Sequence, residues 1–217
     1  MPYRVVGISG SPVTGGNVDR FLKSMIESVR PGEITSEILN LSELEIRECT
    51  HCNFCLTGQE EGRYCSILDD AQAVFEKVER ADIVILASPV YFMRTSAMMA
   101  AFIDRLRVFV FGNLARSRLR NKVGVSAAVS WMRNGGLETT HLTHLYAFMT
   151  LEMIPVGLHG GTCPLGASGV SGTRGALGRE GGRAQGVELD EAGLESAARV
   201  MARAIELARM VRKDGSP

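Results

Sequence analysis

The chain has 217 residues, of which 45% are hydrophobic, and this is enough to bury one sizeable core but not two comfortable domains. We therefore expect a single domain over residues 1–217. Basic and acidic residues number 24 each, so the sequence offers neither the basic face of a nucleic-acid-binding protein nor a polybasic segment for an anionic membrane. No charged-then-apolar leader precedes the first strand-like run, and no apolar run approaches the roughly 20 residues that span a bilayer. The sequence predicts a cytoplasmic protein whose partners are small molecules or other proteins.

Strand-like apolar runs alternate with helix-period segments along the chain, which is typical of a parallel sheet covered on both faces. The predicted strands are residues 3–8, 34–40, 82–87, 122–129 and 153–157. Apolar residues at helical spacing predict helices within residues 18–29, 74–78, 99–106 and 194–205. The sequence thus predicts an α/β fold with five parallel strands, in which ligands bind in the loops at the carboxyl ends of the strands.

The first such loop runs from Gly7 to Asn17 and is rich in glycine and small polar residues. Its glycines allow tight turns, and its backbone N–H groups can converge on an anion at the start of the following helix. Gly10 to Gly15 form a G-x-x-x-x-G run, but Gly16 and Asn17 stand where a P-loop needs Lys and Ser or Thr, and no G-x-G-x-x-G motif follows the strand. The loop favours a terminal monophosphate, such as that of FMN, over ATP, GTP or a dinucleotide. A simple Gly/Ser-rich turn is the alternative.

Two further loops follow the third and fourth predicted strands. Residues 88–96 read S-P-V-Y-F-M-R-T-S, and residues 130–140 read S-W-M-R-N-G-G-L-E-T-T. The first of these offers aromatic surface and backbone amides, which a planar ring with a polar edge requires. Core packing of Tyr91 and Phe92 at a strand end is the alternative interpretation.

Four motifs occur in order along the chain: G-S-P at residues 10–12, P-V-Y-F at 89–92, F-I-D-R at 102–105 and G-G-x-E-T-T at 135–140. Together they resemble the NADPH-dependent FMN reductase and iron–sulfur flavoprotein family. The resemblance implies a flavodoxin-like three-layer sandwich with a five-stranded parallel sheet of order 2-1-3-4-5 and a Cys-rich loop after the second strand. It also implies non-covalently bound FMN and electron transfer, with NAD(P)H as a candidate donor.

The resemblance assigns cofactor-binding residues to all three loops. They are Ser9, Ser11, Pro12, Thr14, Gly16, Asn17, Val18, Pro89, Val90, Tyr91, Phe92, Ser130, Met132, Arg133, Asn134, Gly135 and Gly136. The sequence departs from the family at Val13, Val18 and Ala100, where Arg or Lys, Thr and Lys are frequent. No catalytic side chain is assigned, because the reactive chemistry belongs to the flavin.

Four of the five cysteines lie close together in the sequence. Cys49, Cys52 and Cys55 form a C-x-x-C-x-x-C run, and Cys65 follows after nine residues, within a Cys-rich loop over residues 45–66. This spacing suits a metal or redox site in a reducing compartment better than a disulfide framework. The run resembles that of the iron–sulfur flavoproteins, which implies a [4Fe–4S] cluster on the four thiolates. Structural zinc and free redox thiols remain alternatives, and His51 is interpreted as a solvated loop residue.

A glycine-rich segment over residues 157–188 is interpreted as a lid or an oligomer loop. It resembles the loop that closes over a neighbouring subunit's flavin in quinone-reductase relatives, which predicts a homodimer or homotetramer. A flexible linker is the alternative. His141 and His144, on a predicted helix, are interpreted as packing or flavin-edge residues.

Three alternative functions remain beside an electron-transfer flavoprotein with a cluster. The first is an NAD(P)H-dependent FMN or quinone reductase without a cluster, and the second is a flavin dehydrogenase for a specific small metabolite. The third is a zinc- or redox-sensing binding protein without turnover, because the fold alone does not decide function.

Overall fold

A computed structural model of the chain describes residues 1–171 and 186–213. Six strands form one parallel sheet of order β2-β1-β3-β4-β5, and β6 pairs with β4. The strands are β1 (Tyr3–Ser9), β2 (Ile34–Asn40), β3 (Ile83–Pro89), β4 (Val123–Ser130), β5 (Ile154–Pro155) and β6 (Ala167–Val170). Every residue of β3 and β4 is buried, because helices cover both faces of these central strands. The flavodoxin-like sandwich and its predicted strand order are confirmed.

The edge of the sheet beyond β4 is filled by two short strands. β5 pairs with the first two residues of β4, and β6 pairs with Ala127 to Ser130 at its end. The sequence missed β6, which lies inside the segment predicted as a lid or oligomer loop. Its residues Ala167, Ser168 and Gly169 have low strand propensity, so packing rather than local preference makes the strand. The part of that prediction that covers residues 172–185 falls outside the described residues.

Seven α-helices are described around the sheet. They are α1 (Asn17–Glu27), α2 (Phe54–Thr57), α3 (Ala71–Arg80), α4 (Ala97–Arg105), α5 (Arg107–Phe111), α6 (Leu137–Thr150) and α7 (Glu191–Lys213). Helices α1 and α7 pack on one face through residues such as Phe21 and Met201, and the other face is covered by Phe75, Phe102 and Phe109 among others. Among the helices of residues 1–171 and 186–213, none has the length and apolarity needed to cross a bilayer.

A buried polar chain connects α6 with β4, β6 and the loop after β3. Ser126 Oγ lies 2.7 Å from Nδ1 of His141 and 2.8 Å from Nδ1 of His144. Nε2 of His141 lies 2.8 Å from Ser168 Oγ, and Nε2 of His144 lies 3.2 Å from Thr95 Oγ1. A single hydroxyl proton can serve only one Nδ1, so at least one of the two imidazoles must donate its Nδ1–H to Ser126. The interpretation of both histidines as packing residues fits these contacts.

Burial lowers the pKa of His141 to about 4, and burial together with His141 lowers the pKa of His144 to about 3. Between the ordinary histidine pKa of about 6.5 and these values, the unfolded chain binds protons that the folded chain does not. The folding stability that depends on neutral His141 and His144 is therefore fully present above about pH 6.5. It is lost as the pH falls towards the pKa values of the folded state. Each histidine contributes a slope of up to about 1.4 kcal/mol per pH unit.

We expect the unfolding free energy of the His144→Gln variant to fall less steeply between about pH 6.5 and pH 5 than that of the wild type. The difference in slope should correspond to nearly one proton fewer bound on unfolding. Denaturant unfolding at several pH values measures the slope. The exposed His159→Gln variant is the control for loss of one imidazole. A wild-type slope in His144→Gln would show that this histidine is not held neutral by the fold.

Candidate functional site

The first candidate loop connects β1 to α1, and a carboxylate organises it. Ser9 Oγ donates to Asp19 Oδ1 at 2.5 Å, and the backbone N–H of Gly15 donates to Asp19 Oδ2 at 2.7 Å. The Ser11 hydroxyl accepts a hydrogen bond from the N–H of Val13 at 3.1 Å. Asp19 was missed by the sequence analysis, although an acidic residue in the first turn of a helix is a recognised signal. These hydrogen bonds fix the shape of the loop. A phosphate bound there would share two donors with Asp19, the Ser9 hydroxyl and the Gly15 N–H.

The start of α1 also contacts the segment that begins at residue 186. Asn17 Oδ1 accepts from the N–H of Val187 at 3.0 Å and from Arg20 Nη2 at 2.9 Å. Val18 is buried in the core beneath the loop, whereas Thr14 is exposed and lies 3.0 Å from the Ser42 hydroxyl.

The second loop makes a tight turn that displays an aromatic side chain. Tyr91 and Arg94 exchange two backbone hydrogen bonds of 2.9 and 3.1 Å, and between them Phe92 and Met93 have φ of 48° and 62°. Left-handed backbone at bulky residues costs on the order of 1–3 kcal/mol each and is concentrated at functional sites. The Phe92 side chain is 98% exposed, so its predicted alternative role in core packing is wrong.

The third loop holds the second in place. Thr139 Oγ1 donates to the carbonyl of Met93, and the backbone of Gly136 approaches Met93 so closely that a Cβ atom would lie 2.5 Å from its Cα. Gly136 also has a φ of 96°, which favours glycine. Arg133, assigned to the cofactor by resemblance, pairs with Asp190 at 2.5 Å. The Ser96 hydroxyl donates to the carbonyl of Gly10 at 2.7 Å, so all three loops are linked at one edge of the sheet.

The four cysteines of the Cys-rich loop line one cavity together with Arg105 and Arg107. His51 and Asn53 between them have left-handed φ of 53° and 63°, so the backbone reverses direction on each side of Cys52. All four thiols are free, Cys55 being buried and Cys52 exposed. In the part of the chain that the structure describes, no three His, Cys, Asp or Glu side chains are arranged to hold a metal ion.

The thiols of this cavity differ in environment. A hydrogen bond with the Ser66 hydroxyl, at 3.0 Å, lowers the pKa of Cys52. Burial raises the pKa of Cys55, and the nearby positive charge of Arg107 opposes this effect. Of these two thiols, the exposed Cys52 therefore deprotonates more readily than Cys55.

Two arginines that line this cavity each carry an unpartnered N–H group. Among the described residues, the buried side-chain nitrogen and oxygen atoms without a hydrogen-bond partner are Asn40 Oδ1, Arg105 Nε and Arg107 Nε. A buried donor without an acceptor costs about 1–3 kcal/mol, so the arrangement calls for an acceptor between the two arginines and the thiols. Four thiolates with donors beside them fit the chemistry of an iron–sulfur cluster, whose sulfurs accept hydrogen bonds.

Arg105 also closes the Cys-rich loop onto α4. Its guanidinium donates to both carboxylate oxygens of Asp69, at 2.7 and 3.1 Å, and to the carbonyl of Arg47 at 2.7 Å. Both charged side chains are at most 1% exposed. Although burial alone would raise it, the hydrogen bonds from Arg105 hold the pKa of Asp69 below its usual value. Arg105 belongs to the F-I-D-R motif, which contributes to the family resemblance but predicts no role for this arginine.

Comparison with known proteins identifies the family to which the chain belongs. The model of the NADPH-dependent FMN reductase family matches residues 3–160. The chain belongs to this family. It is similar to an iron–sulfur flavoprotein of Methanocaldococcus jannaschii, with 35% identity over 97% of this chain and 100% of that protein. An iron–sulfur flavoprotein of Archaeoglobus fulgidus is 31% identical over 94% of this chain and 95% of its own length.

Solved structures support the fold of this FMN reductase family member. The WrbA-like flavodoxin of Agrobacterium tumefaciens superposes with a TM-score of 0.62 over 97% of this chain and 99% of that protein, at 16% identity. An NAD(P)H:quinone oxidoreductase of Methanothermobacter marburgensis gives a TM-score of 0.57 over 95% and 96% of the two chains, at 15% identity. The chain is an FMN-dependent oxidoreductase.

We expect Arg105→Met to lower the unfolding free energy by about 3–5 kcal/mol, because it leaves the buried Asp69 carboxylate without its partner. Replacing both residues, as Arg105→Met with Asp69→Leu, should recover a large part of that loss. Denaturant unfolding measures both variants. Arg120→Met is the control, since its ion pair with Glu152 is exposed and 4.0 Å long, and it should cost less than about 1 kcal/mol. Equal costs for Arg105→Met and Arg120→Met would contradict the assignment.

Proposed function

We propose that this FMN-dependent oxidoreductase is an electron-transfer flavoprotein that binds FMN in the three linked loops and a [4Fe–4S] cluster on Cys49, Cys52, Cys55 and Cys65. The observation that carries the proposal is the single cavity that four free thiols share with two unpartnered arginine N–H groups. The names of the iron–sulfur flavoproteins to which the chain is similar support it.

The chain's own residues would bind and orient the flavin. Backbone N–H groups of the first loop, with Ser9, Ser11, Thr14 and Asn17, would hold the phosphate without a cation. The second loop would place its backbone amides and the aromatic rings of Tyr91 and Phe92 against the isoalloxazine. The remaining residues proposed to contact FMN are Pro12, Gly16, Val18, Pro89, Val90, Ser130, Met132, Arg133, Asn134, Gly135 and Gly136.

The two cofactors would divide the electron chemistry between them. When bound, FMN supplies a ring that accepts electrons singly or in pairs, and a cluster supplies a one-electron carrier. The protein fixes both groups, donates hydrogen bonds to them and excludes competing reactions. NAD(P)H is the proposed donor, on the basis of the family's name, and the acceptor would be a small molecule or a redox protein.

We further propose that the protein is a homodimer or homotetramer in the cytoplasm. Phe111, Tyr146 and Met149 are exposed, and a second subunit would cover such apolar side chains. The free thiols of the cysteine cavity suit a reducing compartment.

We expect Cys52→Ala to lose iron while FMN stays bound, because the two sites are built on different loops. Iron, sulfide and flavin analysis of anaerobically purified protein measures this, with about four irons per chain expected for the wild type. Cys163→Ala is the matched control, since Cys163 is a buried free thiol outside the cavity. Equal iron loss in both variants, or a wild type that holds zinc instead of iron, would refute the cluster assignment.

Gly136→Ala should raise the FMN dissociation constant at least about tenfold, or about 1.4 kcal/mol, because the added Cβ displaces the backbone of Met93. Fluorescence titration of the apoprotein with FMN measures the effect. Gly32→Ala is the control, because its φ of 82° is also left-handed while its added Cβ would lie within 4 Å of no other group among the described residues. If the two variants bind FMN equally, the contact between Gly136 and Met93 does not shape the flavin site.

A further inference from the structure

We propose that Arg107, with Arg105 beside it, raises the reduction potential of the cluster by donating N–H hydrogen bonds to its sulfur atoms. The inference rests on the proposed cluster at the four cysteines. It assigns a positioning and tuning role to two arginines that line the cavity, at the end of α4 and the start of α5.

The Arg107 guanidinium is held in place by contacts on two sides. Its Nη2 donates to Asn53 Oδ1 at 3.1 Å, and its Cζ lies 5.4 Å from the centre of the Phe111 ring. Asn53 lies between Cys52 and Cys55, so this hydrogen bond ties the arginine to the turn that carries the thiols. These contacts leave Nε buried and without an acceptor at the cavity.

Arg105 presents the same feature from a more rigid position. Its two Nη atoms are bonded to Asp69 and to the carbonyl of Arg47, while its Nε is buried and without a partner. Two neighbouring arginines, each with an Nη group that has an acceptor and an Nε group that lacks one, point to one acceptor in the cavity they share. Sulfur atoms of a cluster are acceptors of the required kind.

Hydrogen bonds at this place favour the reduced cluster. Reduction by one electron, taken from the flavin or from an added reductant, adds one negative charge to a group that four thiolates already make anionic. Fixed N–H donors and positive charges stabilise the added charge without rearrangement. Removing them therefore lowers the reduction potential.

Arg107 is the residue to substitute, because Arg105 also anchors the Cys-rich loop. Arg107→Met keeps a long side chain but removes the charge and all N–H donors, and Arg107→Lys keeps the charge without the planar fork. Arg63→Met is the matched control. Arg63 lies in the Cys-rich loop, with its Cζ 4.9 Å from the centre of the Phe54 ring, and it does not line the cavity. Redox titration of anaerobically purified holoprotein, followed by electron paramagnetic resonance, measures the midpoint potential.

We expect Arg107→Met to retain iron and to shift the equilibrium for cluster reduction about tenfold towards the oxidised form, or 59 mV for one electron. Arg107→Lys should shift it less, and Arg63→Met should match the wild type. Unchanged potentials in Arg107→Met and Arg107→Lys, with full iron, overturn the inference and leave the cluster assignment standing. If Arg107→Met loses its cluster, a wild-type potential in Arg107→Lys overturns the inference and a lowered one supports it. A wild type without iron overturns the proposed function, and the inference with it.

Discussion

The ion pair between Arg105 and Asp69 is shielded from water, and both parts of the candidate site depend on the helix that carries it. Removing these charges from water costs several kcal/mol per ion, and two hydrogen bonds to the carboxylate plus one to the carbonyl of Arg47 offset that cost. Helix α4 ends at Arg105 and begins after Ser96, whose hydroxyl donates to Gly10 in the first loop. One helix of nine residues, about 13 Å long, therefore joins the proposed flavin loops to the cysteine cavity.

Left-handed backbone at residues other than glycine occurs at the same two places, and also at Ser117, Asn121 and Glu152. Phe92 and Met93 at the second loop, and His51 and Asn53 at the cysteines, all have left-handed backbone without being glycine. Such conformations persist only where the surroundings impose them. At the second loop those surroundings are the hydrogen bond from Thr139 and the close contact of Gly136, which suits a rigid stacking surface for a planar ring.

The sequence predicted the sheet well because β1, β3 and β4 at its centre are largely apolar runs and the motifs that follow them are local. It failed where partners are distant or propensities are weak. β6 consists largely of small residues, and the pairing of Arg105 with Asp69 joins positions 36 residues apart. The hydroxyl of Ser126 lies within hydrogen-bond distance of His141 and His144, and nothing in the sequence of β4 predicts these two contacts. Asp19 was in reach of sequence reasoning, because an acidic first turn is a local signal, whereas its contact with Gly15 depends on how the loop folds.

An anaerobic ultraviolet–visible spectrum of the freshly purified wild type, with flavin, iron, sulfide and zinc measured on the same sample, shows whether one chain carries both a flavin site and a four-thiolate cluster site. We expect two flavin bands over a broad shoulder of iron–sulfur absorption, with about four irons per chain. A pure flavin spectrum without iron, or a colourless protein that holds zinc, would contradict the proposed function.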